Sequence, residues 1–460
     1  MEGGTYLAGG YGLRCALEAR KSGWDRLKNF ARVWQPSRLK GILVDPEYGT
    51  PFLAATQVFD ARPIPRKWLA AEKVKNASEL YVTSGMILVT RSGNVGRATL
   101  THAPHENTII SDDLLRVEPH KPELWGWLYA YLRSPQARAM MRAAHYGHVI
   151  KHLETSHLDA LPMPILRDDL LADFNERVTA ILSLRNRAHE LSLAAEERFK
   201  TAFGHLPKPD YGENGFTVRA SSAFFGGRRR FDALPHNPEA KAIREHLAQD
   251  GKDFTRLVDD DYQIWLPTRF KRILAEEGLP LLDSSQLFEI SPDAEKRIAD
   301  GKFGDAYNGR VESGWLLLSR SGQIYGLNGT LTLATKSFED KIVSDHVIRI
   351  APGRHSTMRP GYVYIALSHP DFGRPIMKSL PYGSSVPEID VADVKQIGVV
   401  RLATGEEGAI ADMAEEASAL RADADIQETA LAMRAGEIID CFIAGSTHEV
   451  SLSPTASRMR

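Results

Sequence analysis

The feature that most constrains this chain is an internal repeat, in which short blocks recur in the same order in both halves. The matched blocks are VWQPSRLK at 33–40 with IWLPTRFK at 264–271, GTPFLAATQVF at 49–59 with GLPLLDSSQLF at 278–288, SGMILVTRSG at 84–93 with SGWLLLSRSG at 313–322, ISD at 110–112 with VSD at 343–345, and YG at 146–147 with YG at 382–383. The offset stays between 229 residues (49 to 278) and 236 residues (146 to 382), as small loop insertions and deletions would produce. Chance similarity would not keep this order, so the repeat predicts a duplicated folding unit.

Each half is long enough to form a domain. The 460 residues are 43% hydrophobic and 25% charged, which is ordinary composition for a globular protein of two or three domains. Each copy spans roughly 150 to 170 residues, a common domain size and far longer than the period of a solenoid repeat. We therefore expect two related globular modules.

Within each half, short apolar runs predict the buried strands of a mixed α+β fold. Residues 86–90 and 315–319 each lie between a glycine and an Arg-Ser-Gly loop, where Gly93 and Gly322 permit positive φ. Further strands are predicted at 108–110, 114–117, 341–343 and 346–350, an extended segment at 162–164, and helices at 125–132 and 362–367.

A long helix is predicted after each module, over 168–203 and from about 407 to 443. The predicted seam residues recur every seven positions: Phe174, Ile181, Ala188, Ala195 and Ala202, with a second stripe of Leu184, Leu191 and Arg198 near Val178; and Ile410, Ala417, Ala424, Leu431 and Ile438, with a second stripe of Met413 and Leu420. Such heptads are typical of coiled coils, and each helix would extend about 50 Å. Two matched seams favour pairing within the chain; the alternative is that each helix packs on its own module. Gly204 and Gly445 are the expected terminators.

The ordered set of motifs resembles the specificity subunit of type I restriction–modification systems over nearly the whole chain. The residues that carry the resemblance are SGMILVTRSGNVG with SGWLLLSRSGQI, ISDDLLRV with VSDHVIRI, HYGHVIKHL with PYGSSVPEI, LPMPIL with GVVRL, and the long helix after each module. The resemblance implies two pseudo-symmetric target-recognition domains joined by an antiparallel pair of coiled-coil helices. The implied boundaries are target-recognition domains at 1–166 and 205–403, spacer helices at 167–204 and 404–445, and a polar tail at 446–460.

This resemblance also implies a function. Each module would read one half of a split DNA target, while the helices fix the spacing between the half-sites. The implied partners are double-stranded DNA, modification (methyltransferase) subunits and a restriction or translocase subunit, and the chain would have neither catalysis nor a cofactor of its own. The alternative is a non-catalytic adaptor of a related defence complex with degenerate DNA recognition. A formal net charge of −2 favours this alternative, because free-standing DNA-binding proteins are usually basic.

Other classes of protein have little support in the sequence. Every apolar run is far shorter than the roughly 20 residues of a membrane span, and the N-terminus lacks the features of a signal peptide, so we expect a cytoplasmic protein without a membrane partner. Cys15 and Cys441 are the only cysteines, too few for a disulfide framework or a thiolate zinc site. No phosphate-binding loop or dinucleotide fingerprint is present.

Arg91 and Arg320 begin the two glycine-containing loops and are candidate DNA contacts. Arginine binds guanine through two hydrogen bonds and also contacts phosphates, and a residue shared by both copies favours phosphate. The alternative is that each arginine fixes its loop through a buried carboxylate, such as Asp112 or Asp345.

Asn94, Gln323 and Tyr325 lie beside these loops and differ between the copies, which makes them better candidates for base recognition. Asparagine and glutamine can bind adenine through two hydrogen bonds, and the alternative is that these are solvated turn residues. The complete set of candidate DNA-contacting residues is Arg91, Ser92, Gly93, Asn94, Tyr146, Gly147, His148, Lys151, Arg320, Ser321, Gly322, Gln323, Tyr325, Tyr382, Gly383, Ser384 and Ser385.

Four histidines close together suggest a metal site as a further alternative. They are His145, His148, His152 and His157. The repeat argues against this alternative, because the matching positions in the second half are Pro381, Ser384, Glu388 and Asp393. We therefore expect no metal.

Overall fold

The computed structural model describes residues 9–38, 41–73, 76–144, 152–204, 206, 215–225, 230–249, 253–299 and 308–449. The chain forms two compact units, a first unit of Met1–Asn186 with Asp423–Arg460 and a second unit of Arg187–Ala422. The first unit contains the first half of the repeat, and the second unit contains the second half. Each long helix contributes one part to each unit.

Two sheets and a separate strand pair form the module of the first unit. Its strands are β1 (Trp24–Arg26), β2 (Ala31–Trp34), β3 (Leu43–Val44), β4 (Thr50–Leu53), β5 (Lys67–Leu69), β6 (Ile87–Thr90), β7 (Ala98–Leu100), β8 (Ile109–Ile110), β9 (Leu114–Pro119) and β10 (Pro162–Pro164). One antiparallel sheet has the order β2-β9-β6-β7, and the other has the order β3-β5-β4-β8 with β4 and β8 parallel. Strand β1 pairs with β10, which joins the start of the module to its end.

Besides the long helices, the described helices of this unit are Gly9–Glu18, Trp125–Arg133, Pro135–Ala144 and Thr155–Asp159. The Trp125–Arg133 helix is buried on all sides between its ends. Its Trp127 indole donates to the Pro164 carbonyl at 2.9 Å, and its Tyr131 hydroxyl donates to the Pro162 carbonyl at 2.7 Å. Two buried polar groups therefore fasten this helix to β10, where each finds the partner that burial requires.

The second unit repeats this plan. Its strands are β11 (Phe254–Arg256), β12 (Gln263–Trp265), β13 (Leu274–Leu282), β14 (Arg297–Ile298), β15 (Leu316–Ser319), β16 (Leu331–Leu333), β17 (Ile342–Val343), β18 (Val347–Ala351) and β19 (Gly398–Val400). They form an antiparallel sheet of order β12-β18-β15-β16, a sheet of order β14-β13-β17 and the pair β11-β19. The shorter described helices are Ala220–Phe225, Pro238–Leu247, Pro360–Ser368, Gly373–Lys378 and Val391–Val394.

The four-stranded antiparallel sheets of the two units correspond strand for strand. In the first, Ile87 lies opposite Val117; in the second, Leu316 lies opposite Ile350, and all four side chains are buried. The central strands begin and end within two residues of the predicted runs, because glycine and the Arg-Ser-Gly loop delimit them. Helices and strands are mixed in both units, which confirms the predicted α+β class.

The two predicted long helices are Asp168–Phe203, here called the central helix, and Thr404–Ala444, here called the C-terminal helix. Asp168 and Asp169 lie in the first turn of the central helix, where carboxylates favour the helix dipole. The residues that follow the two helices, Gly204 and Gly445, have φ of 71° and 107°. Both predicted terminators thus adopt the left-handed backbone that glycine favours.

The buried stripes of the long helices differ in part from the prediction. The first stripe is buried from Phe174 to Ala195 and from Ile410 to Ile438. Most of the second stripe lies one residue further along than predicted. Its buried residues are Arg185, Ser192 and Phe199 after Val178, and Ala414, Glu428, Ala435 and Phe442, with Arg421 half-buried among them. Of the residues predicted there, Leu191 is buried, Leu184, Met413 and Leu420 are half-buried, and Arg198 is exposed.

Polar residues explain this shift. In the first unit, Arg185 bonds Glu428 at 2.7 Å and Asp425 at 3.0 Å. In the second unit, Arg421 donates to the Ser192 hydroxyl, while Arg198 forms an exposed pair with Glu406 at 2.8 Å. Because Arg185, Glu428 and Ser192 have polar partners, they can occupy buried positions that a hydrophobic pattern assigns to neighbouring apolar residues.

Candidate nucleic-acid interface

In the first unit, the loop after β6 begins with an arginine that is held by carboxylates. Arg91 Nη2 lies 2.8 Å from Glu154 Oε1, and Nη1 lies 4.0 Å from Asp113. The Arg91 carbonyl also accepts a hydrogen bond of 2.9 Å from the Leu153 amide. The loop is therefore attached at its first residue to the segment that leads into the Thr155–Asp159 helix.

The loop after β15 in the second unit is attached in the same way. Arg320 Nη2 lies 2.5 Å from Glu388 Oε2, and the Arg320 carbonyl accepts 2.9 Å from the Ile389 amide. The Ser321 hydroxyl donates to Glu388 at 3.2 Å. In the first unit the glutamate follows the residue whose amide bonds the arginine carbonyl, and in the second unit it precedes that residue. The arginine–glutamate ion pair therefore recurs, although the glutamate occupies a different position of the repeat.

These contacts correct the carboxylate partners expected from the sequence. Asp345 pairs with Arg272 at 2.6 Å rather than with Arg320. Burial tends to raise the pKa of Asp345, but the hydrogen bond and charge of Arg272 outweigh it and hold this pKa below its usual value. Arg91 pairs with Glu154 and Asp113 rather than with Asp112, and burial raises the pKa of the Asp112 carboxyl. The sequence alone could not show that each arginine pairs with the more distant Glu154 or Glu388 rather than with the aspartate of the nearer Ser-Asp turn.

Behind each loop lies a fully buried arginine that sequence reasoning overlooked. Arg116 donates to the carbonyls of Ser111 at 2.9 Å and Ile110 at 3.0 Å, and also to that of Leu114. The matching Arg349 donates to the carbonyls of Ser344, Val343 and Val347. Burial lowers the pKa of each guanidinium to about 10. The signal available in the sequence was the arginine shared by ISDDLLRV and VSDHVIRI.

Asn94, at the exposed tip of the first loop, is held by a helix. Its Oδ1 accepts from Arg138 Nη2 at 2.8 Å and from Arg142 Nη2 at 3.2 Å, and both arginines lie on the Pro135–Ala144 helix. An amide oxygen has two lone pairs, and a two-bond contact with adenine needs this oxygen as an acceptor. In this arrangement, any contact of the Asn94 side chain with a base has to be donated by Nδ2.

The longer loop of the second unit is braced from the same helical position. Lys378 Nζ donates to the Gly326 carbonyl at 2.7 Å and to that of Asn328, and Lys378 lies 236 residues after Arg142. The buried Asn328 amide donates to the Gly322 carbonyl within the loop and to the Pro387 carbonyl of the neighbouring segment. Gln323 is exposed, and Tyr325 is 74% exposed. The loop backbone is thus fixed while two polar side chains project from it.

The second Tyr-Gly segment lies beside this loop. Tyr382 exchanges two backbone hydrogen bonds of 2.9 Å with Glu388, the residue that holds Arg320. Gly383 has φ of 98°, and Ser384 and Ser385 are exposed. The corresponding residues of the first unit, Tyr146, Gly147, His148 and Lys151, lie outside the described residues.

Neither a metal site nor a membrane span is found in the described part of the chain. No group of three or more histidine, cysteine or acidic residues there could hold a metal ion. His145 and His148 lie outside it, and His157 Nδ1 accepts from the Glu154 amide at 3.1 Å. No described helix has both the length and the apolar character needed to cross a bilayer.

Comparison with known proteins finds solved restriction–modification structures. No protein-family model and no curated protein matches the chain. The S subunit of a type I restriction–modification system from M. genitalium is 13% identical, with alignment over 92% of this chain and 96% of that chain at a TM-score of 0.31. The HsdS subunit from Thermoanaerobacter tengcongensis is 12% identical over 92% and 96%, with a TM-score of 0.28.

The structure is similar to those of type I specificity subunits. A third match is the type IIG restriction endonuclease BpuSI, which is 15% identical over 38% of this chain and 28% of that chain, with a TM-score of 0.29. The specificity subunits are matched over nearly their whole length, whereas the endonuclease is matched over part of its own.

Proposed function

We propose that this chain is the DNA sequence-specificity subunit of a restriction–modification complex, and that each module recognises one half of a bipartite target. The observation that carries the proposal is a shared loop scaffold with different exposed residues. Both loops begin with an arginine held by glutamate, at Arg91 and Arg320, and both adjoin a turn bound by a buried arginine. The exposed residues differ, with Asn94 in one loop and Gln323 and Tyr325 in the other.

This division fits a pair of modules that dock similarly on DNA and recognise different bases. Phosphate contacts and loop geometry set the position of a protein on the duplex, whereas side chains at base edges determine the sequence it selects. A duplicated module that merely supported an assembly would have no evident use for loops so firmly braced and so different at their tips. Arg138, Arg142 and Lys378 act in this proposal as positioning residues.

The long helices form, in the proposal, an antiparallel coiled-coil pair that sets the spacing of the half-sites. Within the second unit, Ser192 contacts Arg421 and the later Arg198 pairs with the earlier Glu406, as antiparallel helices require. The proposed domains are those implied by the sequence: recognition domains at 1–166 and 205–403, helices at 167–204 and 404–445, and a tail at 446–460. The motifs that recur in both halves, rather than the net charge of the chain, support these proposed domains.

Methyltransferase subunits are the proposed partners, together with a restriction or translocase subunit, and the chain itself is proposed to be non-catalytic. Leu193, Ile426 and Met433 on the long helices expose 51%, 52% and 53% of their surface, which provides apolar contacts for such partners. A partner that contributes phosphate contacts would also reconcile DNA binding with the net charge of −2.

The experiment that tests the proposal is reconstitution of the chain with its proposed methyltransferase partner, followed by equilibrium binding to duplexes of different sequence. We expect the complex to favour one bipartite sequence by at least about a thousandfold over random duplex, as specific DNA-binding proteins do. Equal affinity for every duplex would refute the proposal.

The second candidate function is a non-catalytic adaptor with degenerate DNA recognition, which the net charge of −2 favours. The same reconstitution distinguishes the two candidates. An adaptor would copurify with its partners, and the resulting complex would show no preference among DNA sequences.

A further inference from the structure

Each module exposes a pair of aliphatic residues at the same position of the repeat. The residues that follow the first matched block are GIL at 41–43 and RIL at 272–274. Ile42 and Leu43 therefore align in sequence with Ile273 and Leu274. In the first unit the two side chains are 55% and 61% exposed, and in the second they are 41% and 68% exposed. Two adjacent large aliphatic residues exposed in both copies form an apolar patch that water solvates poorly.

The strand framework holds both pairs in equivalent positions. Leu43 pairs with Leu69 across strands β3 and β5, and Leu274 pairs with Ile298 across β13 and β14. The Ile42 carbonyl accepts from the Ala70 amide at 3.0 Å, and the Ile273 carbonyl accepts from the Ala299 amide at 2.8 Å. Exposure of these side chains is therefore a property of the ordered sheet.

Exposed basic residues occur near each pair, at matching positions of the repeat. Arg38 and Arg269 lie four residues before Ile42 and Ile273, while Lys67 on β5 and Lys296 next to β14 lie on the neighbouring strand segment. All four are exposed, and none forms an ion pair with an acidic residue in the described part of the chain. Exposed lysine and arginine side chains near an apolar patch suit a polyanion that also presents apolar surface.

In both units, a residue that precedes the patch in sequence contacts the turn beside the candidate recognition loop. In the first unit, Gln35 Nε2 donates to the Asp112 carbonyl at 3.1 Å, and the next residue, Asp113, accepts from the Arg91 amide at 3.1 Å. In the second, Arg272 pairs with Asp345, and the carbonyl of the next residue, His346, accepts from the Arg320 amide at 3.3 Å. The same turn thus bonds both the recognition loop and the segment that precedes the patch in each module.

We propose that Ile42–Leu43 and Ile273–Leu274 make an apolar contact with double-stranded DNA beside each recognition loop. This inference rests on the proposed function. Aliphatic side chains contact the thymine methyl group or insert at base steps, and flanking lysine and arginine contact phosphates. Duplication of the patch gives each half-site one such contact, and the exposure of the side chains in both units keeps them accessible to a groove.

The test is titration of the methyltransferase complex of the full chain with a fluorescein-labelled duplex of random sequence, over a series of salt concentrations. The variants are Ile42→Ser/Leu43→Ser and Ile273→Ser/Leu274→Ser, and the control is Val218→Ser, an exposed valine outside both patches. We expect each double variant to bind about five- to tenfold more weakly at every salt concentration, with an unchanged salt slope, because the lost contact is apolar. Lys67→Ala and Lys296→Ala should each lower the salt slope by about one.

Double variants that bind DNA as tightly as Val218→Ser would overturn the inference while leaving the proposed function intact. Loss of methyltransferase from the double variants, with unchanged DNA affinity of the complex that remains, would also overturn it by assigning the patch to a protein partner. Absence of DNA binding by the unaltered complex would overturn the proposed function itself. Unchanged thermal unfolding of the variants, expected for exposed side chains, excludes misfolding as the cause of weaker binding.

Discussion

Arg185 donates a hydrogen bond of 2.7 Å to Glu428, and both side chains are only 3% exposed. The Tyr129 hydroxyl donates to the other carboxylate oxygen of Glu428. Burial, with a contribution from the nearby Glu428 charge, raises the pKa of Tyr129 well above its usual value, so its proton remains available for this bond. The cluster fastens a helix of the first module to both long helices within the first unit.

Replacement of Glu428 by alanine should destabilise the first unit strongly. The change leaves the Arg185 guanidinium buried without its principal carboxylate, at an expected cost of about 3–5 kcal/mol in the free energy of unfolding. The control is Glu406→Ala, which removes an exposed partner of Arg198 and should lower the free energy of unfolding far less, because solvent screens this pair. Urea unfolding measures both, and similar losses for the two variants would contradict a special role for the buried cluster.

Arg116→Met should weaken the turn that adjoins the first recognition loop. Methionine fills much of the same space but leaves three carbonyl groups without their donor, so a loss of about 2–4 kcal/mol is expected. Arg349→Met should act equally in the second unit, because its contacts are the same. Denaturant unfolding provides the measurement, with the exposed Lys67→Met as the control; native-like stability of both arginine variants would refute the clamping role.

Asn94→Asp should alter base preference in one half-site and leave the other unchanged. An aspartate can still accept hydrogen bonds from Arg138 and Arg142, so the loop keeps its brace, but the Nδ2 donor is lost. One base contact contributes about 1–3 kcal/mol of discrimination, equivalent to roughly 5- to 150-fold. Competition binding with duplexes substituted one base pair at a time measures this effect, and an unchanged preference would exclude Asn94 as a base contact.

Arg91 and Glu154 should behave as a coupled scaffold pair. A double-mutant cycle with Arg91→Ala and Glu154→Ala is expected to give a coupling energy of about 1 kcal/mol, since the pair is only partly buried. Arg91→Ala should also leave the salt dependence of DNA binding unchanged. A salt slope reduced by about one would instead assign Arg91 to a phosphate.

The elements delimited by local signals could be predicted from the sequence. Strand β6 lies between Gly85 and the Arg-Ser-Gly loop, and the central helix begins and ends at the predicted residues. Alignment of the two copies made these predictions firmer, because each half provides an independent example of the same pattern.

The interactions between residues distant in sequence could not be predicted. Arg185 lies at a buried position of the helix seam, where a hydrophobic pattern predicts an apolar residue. Its partner Glu428 is 243 residues away in sequence, so the pattern around Arg185 gives no sign of the pair. Glu154 and Glu388 bind the matching arginines but do not align with each other in the repeat. A comparison of the two halves therefore does not reveal their common role. The sequence contains one signal of the helix that holds Asn94, because Arg138 and Arg142 align with the basic residues Arg374 and Lys378 of the second half. The role of these basic residues becomes clear only in the structure, where the helix lies beside the loop.

The central claim, that each module recognises one half of a bipartite target, is tested most directly by selecting bound duplexes from a random library. The samples are the methyltransferase complexes of the unaltered chain, of Asn94→Asp and of Gln323→Ala/Tyr325→Ala. We predict two separated motifs for the unaltered chain, with Asn94→Asp changing one motif and the second variant changing the other. Selection of no motif, or the same altered motif in both variants, would contradict the account.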